Sequence, residues 1–99
     1  MEIQITTRHS QNKASQTLQD TITAELTKME RFYDKITSCK VVLDSEHIDK
    51  VVEISMATQG HQLVATAKAD NLGKAIDEAL TKTERQLKKL NEKVKSHKL

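Results

Sequence analysis

KVVEISMATQGHQLVATAKAD, residues 50–70, is the stretch on which the architecture turns. Val52, Ile54 and Met56 alternate with polar residues up to Gln59-Gly60, and Leu63, Ala65, Ala67 and Ala69 alternate afterwards. Period-two alternation on both sides of a two-residue turn, with glycine supplying a positive φ, predicts a β-hairpin with one buried face. The inward alanines are small, so a helix is expected to lie close against this part of the sheet.

Upstream of the hairpin, TSCKVVLDS (residues 37–45) predicts a preceding strand, with Thr37, Cys39, Val41 and Leu43 on one face and Val42 on the other. Ile3 and Ile5 alternate within residues 2–6, which predicts a first strand. Between these two strands Leu18, Ile22, Leu26, Met29 and Tyr33 recur at helical spacing. Ser15 is positioned to cap the resulting helix one, over residues 15–33. After the hairpin, Asn71 is positioned to cap a long helix two with the seam Leu72, Ile76, Ala79, Leu80, Thr83, Leu87, Leu90 and Val94. At about 1.5 Å per residue helix two outruns any strand, so its last turns are expected to overhang the sheet or lie beside helix one.

The order is β-α-β-β-β-α, an α+β domain with a four-stranded mixed sheet and both helices on one face. A helix between strands one and two implies a right-handed crossover and parallel pairing, and the meander adds strands three and four antiparallel. The opposite face carries Gln4, Lys40, Val42, Glu53, Ser55, Gln62, Val64, Thr66 and Lys68, a mixed surface that water tolerates. With 99 residues and no linker or repeat, a single domain over residues 1–99 is expected.

Charge is unevenly placed. Residues 82–99 hold seven basic and two acidic residues, whereas the first 81 hold nine basic and twelve acidic. Such polarity suits a polyanionic partner. On helix two, Lys82, Arg85, Lys89 and Lys93 fall within a sector of about 80° turned away from the leucine seam. Helix one carries a shorter ridge, Lys28, Arg31 and Lys35, so side-by-side helices are expected to set two cationic ridges around one groove. Lysine-rich helix faces also serve solubility alone, but Glu84 and Glu92 are the only acids in the last eighteen residues, so the cations' mutual repulsion is expected to go largely unrelieved.

Other chemistries find little support. The single Cys39 permits no internal disulfide and reads as a small buried thiol. His9, His47, His61 and His97 lack metal-ligand spacing, and adjacent Asp77 and Glu78 cannot face each other as an acid-base pair. Gly60 and Gly73, the only glycines, cannot form a phosphate loop. Neither a catalytic site nor a metal or other cofactor is expected. The N-terminal residues show no signal-peptide pattern, and the longest aliphatic run, Val41 to Leu43, cannot cross a bilayer, so a cytoplasmic protein without membrane attachment is expected.

KAIDEALTKTERQLKKL (residues 74–90) closely resembles the second helix of the bacterial ribosome hibernation factors, with Ala75-Ile76-Asp77, Lys82, Glu84-Arg85-Gln86-Leu87 and Lys89 at that family's spacing. ITTRH (5–9), LTKMERFYDKI (26–36), KVVL (40–43) and LVATAKADN (63–71) extend the resemblance over essentially the whole chain. It implies the fold derived above. It also implies binding to the small ribosomal subunit, the 30S particle with its 16S rRNA, in the channel for messenger RNA and tRNA, which silences translation in stress or stationary phase. The matching rRNA-facing cations are Lys82, Arg85 and Lys89 with Lys28; Lys93 and Lys95 continue the ridge. Arg31 and Lys35 come from the ridge alone, and Arg8 from the strand-one match.

The family more often has basic residues where this chain has Gln19 and Glu25, and an aromatic at Gly73, so helix one is expected to contribute less. Ending after helix two, the chain resembles the short hibernation-promoting branch. That branch implies 70S and paired 100S particles, action beside ribosome modulation factor on the same ribosome, and a monomer off it. Two other readings stay open: a generic double-stranded-RNA module, and a protein-interaction module using Val42 and Val64 or the overhanging Leu90 and Val94.

Overall fold

The computed structural model describes residues 1–8, 15–33 and 35–96, with side chains described as far as Lys93. The elements are β1 (Glu2–Thr7), α1 (Gln16–Phe32), β2 (Ile36–Glu46), β3 (Asp49–Thr58), β4 (His61–Ala69) and α2 (Leu72–Ser96). Strand order is β1-β2-β3-β4, with β1 parallel to β2 and the rest antiparallel, which is the topology expected from the periodicities.

Each boundary has a local cause. The Ser15 hydroxyl accepts a hydrogen bond from the Leu18 amide at 3.2 Å, which satisfies one unpaired donor at the start of α1. Asn71 does the same for α2, its Oδ1 accepting from the Lys74 amide at 2.8 Å. The β3–β4 turn is tight, with Gln59 at φ 51° and Gly60 at φ 78°. Positive φ at both central residues is what a type I′ hairpin turn requires. Glycine accommodates it freely, and Gln59 carries the same conformation at some steric cost.

One layer of helices covers one face of the sheet. From α1 come Ile22, Leu26 and Met29; from the strands Cys39, Val41, Leu43, Val52, Ile54, Met56 and Ala67; from α2 Ala75, Ile76, Ala79, Leu80 and Leu87. Ala65 and Ala67 are both nearly inaccessible beneath α2, as their small size predicts. Thr83 sits in the same seam, where its hydroxyl donates to the Ala79 carbonyl at 2.8 Å instead of being left unpaired. The molecule measures 51 × 21 × 18 Å. At about 1.5 Å per residue α2 accounts for most of the long axis, and its seam changes from inaccessible at Leu87 to half-buried at Leu90 as it overhangs.

Two sequence expectations need correction. The β2–β3 register slips between Ile36 and Ser38, so Ile36 turns into the core and Thr37 turns out, its hydroxyl donating to the Ala57 carbonyl at 3.2 Å. A bulge inverts the alternation beyond it, which period-two reading cannot register. Val42 does lie on the uncovered sheet face, yet it is only 7% exposed. It is central, in register with Thr6 on one side and Glu53 on the other, and its strand neighbours shield it. Val64 on edge strand β4 remains 49% exposed, so the anticipated apolar pair on this face reduces to one residue.

Candidate nucleic-acid interface

α2 turns its seam to β3 and β4 and thereby divides its remaining surface into two flanks. On the β4 side it closes the sheet edge: Lys82 Nζ donates to the Thr66 carbonyl at 2.9 Å and Gln86 Nε2 donates to the Val64 carbonyl at 2.8 Å. An edge strand otherwise presents a row of unpaired carbonyls to any passing strand, so these two side chains both anchor the helix and block that edge. Lys82 also lies 3.9 Å from Glu78 one turn earlier. Its ammonium therefore remains partly exposed but is held by its own protein.

Farther round the helix the cations stand alone. Arg85, Lys88 and Lys89 are exposed. None of the three makes a side-chain hydrogen bond or ion pair among the described residues. Lys93 continues their flank and is exposed, while the Lys95 side chain, His9 and His97 lie outside the described residues. His47 and His61 are exposed at strand ends and turns.

The groove between the helices is not the twin-ridged cationic cleft that the sequence suggests. Thr21, Glu25 and Met29 of α1 face Asp77, Leu80, Thr81 and Glu84 of α2 across one stretch, which makes it acidic. The next stretch, toward the C-terminal end of α1, is lined by Tyr33, Thr81, Glu84, Arg85 and Lys88 and is where positive charge enters. Burial, and then the nearby carboxylates Glu84 and Glu92, raise the Tyr33 phenol above its ordinary pKa, so it stays a neutral hydrogen-bonding group here.

The α1 ridge is shorter than expected. Lys28 and Arg31 lie on the helix, with Arg31 exposed, but α1 ends at Phe32, and Lys35 adopts φ 64° in the turn before β2. Its exposed side chain follows the turn and not the helical rotation. Arg8 is exposed just past β1, its amide donating to the Leu43 carbonyl at 2.8 Å, at the opposite end of β2 from Lys35. The structure therefore groups Arg85 and Lys89 on one flank with Lys82 and Lys93 beside them, and leaves Arg8 and Lys35 apart from it. Sequence reading missed Lys88. A single-ridge criterion excludes it, but its rotation toward α1 places it in the groove with Arg85.

Cys39 is buried, and burial pushes its thiol up to about 11, so it offers no thiolate near neutral pH. Among the described residues no group of His, Cys, Asp and Glu is arranged to hold a metal ion, and no helix is long and apolar enough to cross a membrane.

Comparison with known proteins yields consistent matches. The sequence profile described as sigma 54 modulation protein / S30EA ribosomal protein matches residues 3–95. A ribosome hibernation promoting factor of Pseudomonas putida is 33% identical over 97% of this chain and 92% of its own length. One from Escherichia coli is 30% identical over 84% of this chain and 87% of its own. A ribosomal subunit interface protein from Coxiella burnetii has the same fold, with a TM-score of 0.81 at 24% identity over 91% of this chain and 97% of its own. The Thermus thermophilus Protein Y N-terminal domain superposes with a TM-score of 0.79 at 24% identity, covering 91% of this chain and 99% of that domain.

Proposed function

The chain belongs to the sigma 54 modulation protein / S30EA ribosomal protein family, and we propose that it is a ribosome hibernation factor, seated on the 30S subunit in the channel used by messenger RNA and tRNA. Relatives at 30–33% identity carry the name ribosome hibernation promoting factor. The observation that carries the finer reading is the outer flank of α2, where Arg85, Lys88 and Lys89 have no side-chain partner among the described residues while the hydrophobic seam behind them is inaccessible to water. Unpaired cations on a rigid helix release condensed counterions when they meet phosphates, and that is where affinity without base reading comes from.

The action needs no bond making or breaking. A domain filling a site shared with tRNA and mRNA excludes them by volume, while folded rRNA is recognised by its shape and backbone. Lys82, Arg85 and Lys89 form the principal contact, Lys28 and Arg31 support it from α1, and Lys93 with Lys95 extends it. Lys35 and Arg8 stand outside this cluster and contribute as isolated charges. Residues 1–99 act as one binding unit in the cytoplasm, during stress or stationary phase, beside ribosome modulation factor where ribosomes pair.

Co-sedimentation with purified 30S subunits tests this. The protein is expected to pellet with subunits at low salt and leave them at high salt, to prefer subunits over free duplex RNA, and to sediment alone as a monomer. Equal affinity for free duplex RNA makes it a generic RNA module instead. A stable dimer indifferent to subunits makes it a protein-interaction module.

A further inference from the structure

Phe32 is 70% exposed at the last turn of α1. A phenylalanine ring left in water on an otherwise amphipathic helix forgoes a large stabilisation. The cause of its exposure is rotational. The buried stripe of α1 runs through Ile22, Leu26 and Met29, and Phe32 follows Lys28 by four residues, which puts both on the flank that also carries Thr21 and Glu25. Thr21 and Glu25 line the acidic stretch of the inter-helix groove. Two turns beyond Glu25, Phe32 directly precedes Tyr33, which lines the next stretch of that groove with Arg85 and Lys88.

The other two large exposed apolar residues among those described lie elsewhere: Ile48 in the β2–β3 turn and Val64 on the β4 edge. Phe32 alone combines an open aromatic face with cations on its own helix, Lys28 and Arg31, and a sequence neighbour, Tyr33, that shares a groove with Arg85 and Lys88. An apolar protein surface would have to strip water from those charges to reach the ring, whereas a nucleotide meets ring and charges together, base on the ring and phosphate on the cations.

The geometry points to Phe32 as a stacking platform for one unpaired rRNA base, with Lys28 and Arg85 holding the adjoining phosphates. This rests on the ribosome-binding reading above and adds to it a contact that charge does not supply. Stacking is indifferent to base identity and releases few counterions, so its signature is weaker affinity at an unchanged salt slope.

The test is binding of the full chain to purified 30S subunits across a series of salt concentrations, with circular dichroism to check the fold. Phe32→Ala and Phe32→Leu are each expected to weaken binding about tenfold without altering the salt slope. Phe32→Trp is expected to retain affinity, and as the only tryptophan in the chain its emission is expected to be quenched on binding. Wild-type affinity in Phe32→Ala overturns the assignment, as does full affinity in Phe32→Leu or a blue-shifted, brightened tryptophan, since either would mean an apolar protein contact. In each of those cases steep salt dependence of the unaltered protein leaves the ribosome-binding reading standing. If the unaltered protein binds no subunits at any salt, both fail.

Discussion

The two halves of α2 differ in what holds them and in what they offer. Over the sheet, Ala75, Ile76, Ala79, Leu80, Thr83 and Leu87 are nearly inaccessible, and Lys82 and Gln86 are fastened to the carbonyls of β4. Toward the end of the helix Leu90 is half-buried, and Lys88 and Lys89 have no side-chain partner among the described residues. One continuous helix thus serves two purposes according to what lies beneath it. The covered seam makes the helix rigid; the outer flank, from Arg85 onward, presents charge.

The sharpest challenge to this division is to truncate the seam in each half. Leu87→Ala is expected to cost about 3 kcal/mol of unfolding free energy in urea melts, because it empties a fully enclosed site, while Leu90→Ala costs less than about 1 kcal/mol. Equal costs would mean that the overhang is packed after all.

Dryness of the core that the helices cover is tested next through Cys39. Its thiol titrates near about 11 in the fold, above an ordinary value of 9.0, because burial disfavours the thiolate. The neutral thiol is thus the form the fold favours. Its contribution is fully present below pH 9, and it disappears as the pH rises through the folded value and the unfolded chain ionises first. Wild type is therefore expected to fall by about 2 kcal/mol in stability between about pH 9 and 11 beyond what Cys39→Ala does over the same range. Parallel pH profiles would mean that water reaches the thiol.

The smallest effect separates two lysines on one flank. Lys82→Ala is expected to cost about 0.5–1 kcal/mol of stability by removing the bond to the β4 edge, whereas Lys89→Ala leaves stability unchanged. Both are expected to lower the salt slope of 30S binding by roughly 0.7–0.9, the value for one phosphate no longer neutralised. If Lys82→Ala is less stable but keeps its slope, Lys82 is a strand-edge anchor alone, and the interface begins at Arg85.

Much of this molecule is legible from residue spacing. Ile22, Leu26 and Met29 declare a helix, Val52, Ile54 and Met56 a strand, and Ser15 and Asn71 the helix starts, because each signal lies within one or two turns of chain. What escaped is what depends on a neighbour distant in sequence. Thr37 leaves its predicted face because β2 slips against β3, and Val42 is hidden by Thr6 and Glu53 on flanking strands. One stretch of the inter-helix groove turns out acidic because Glu25 lines it together with Asp77 and Glu84, residues more than about fifty positions away along the chain.

Topology, the two buried seams and the cationic sector of α2 are properties of the amino-acid order itself, since they follow from backbone periodicity and from which side chains can leave water. Which cations stay available depends instead on how the elements pack. Lys82 and Lys89 are alike on any helical projection, and what separates them is that Lys82 is bonded to the Thr66 carbonyl of β4 while Lys89 has no side-chain partner among the described residues.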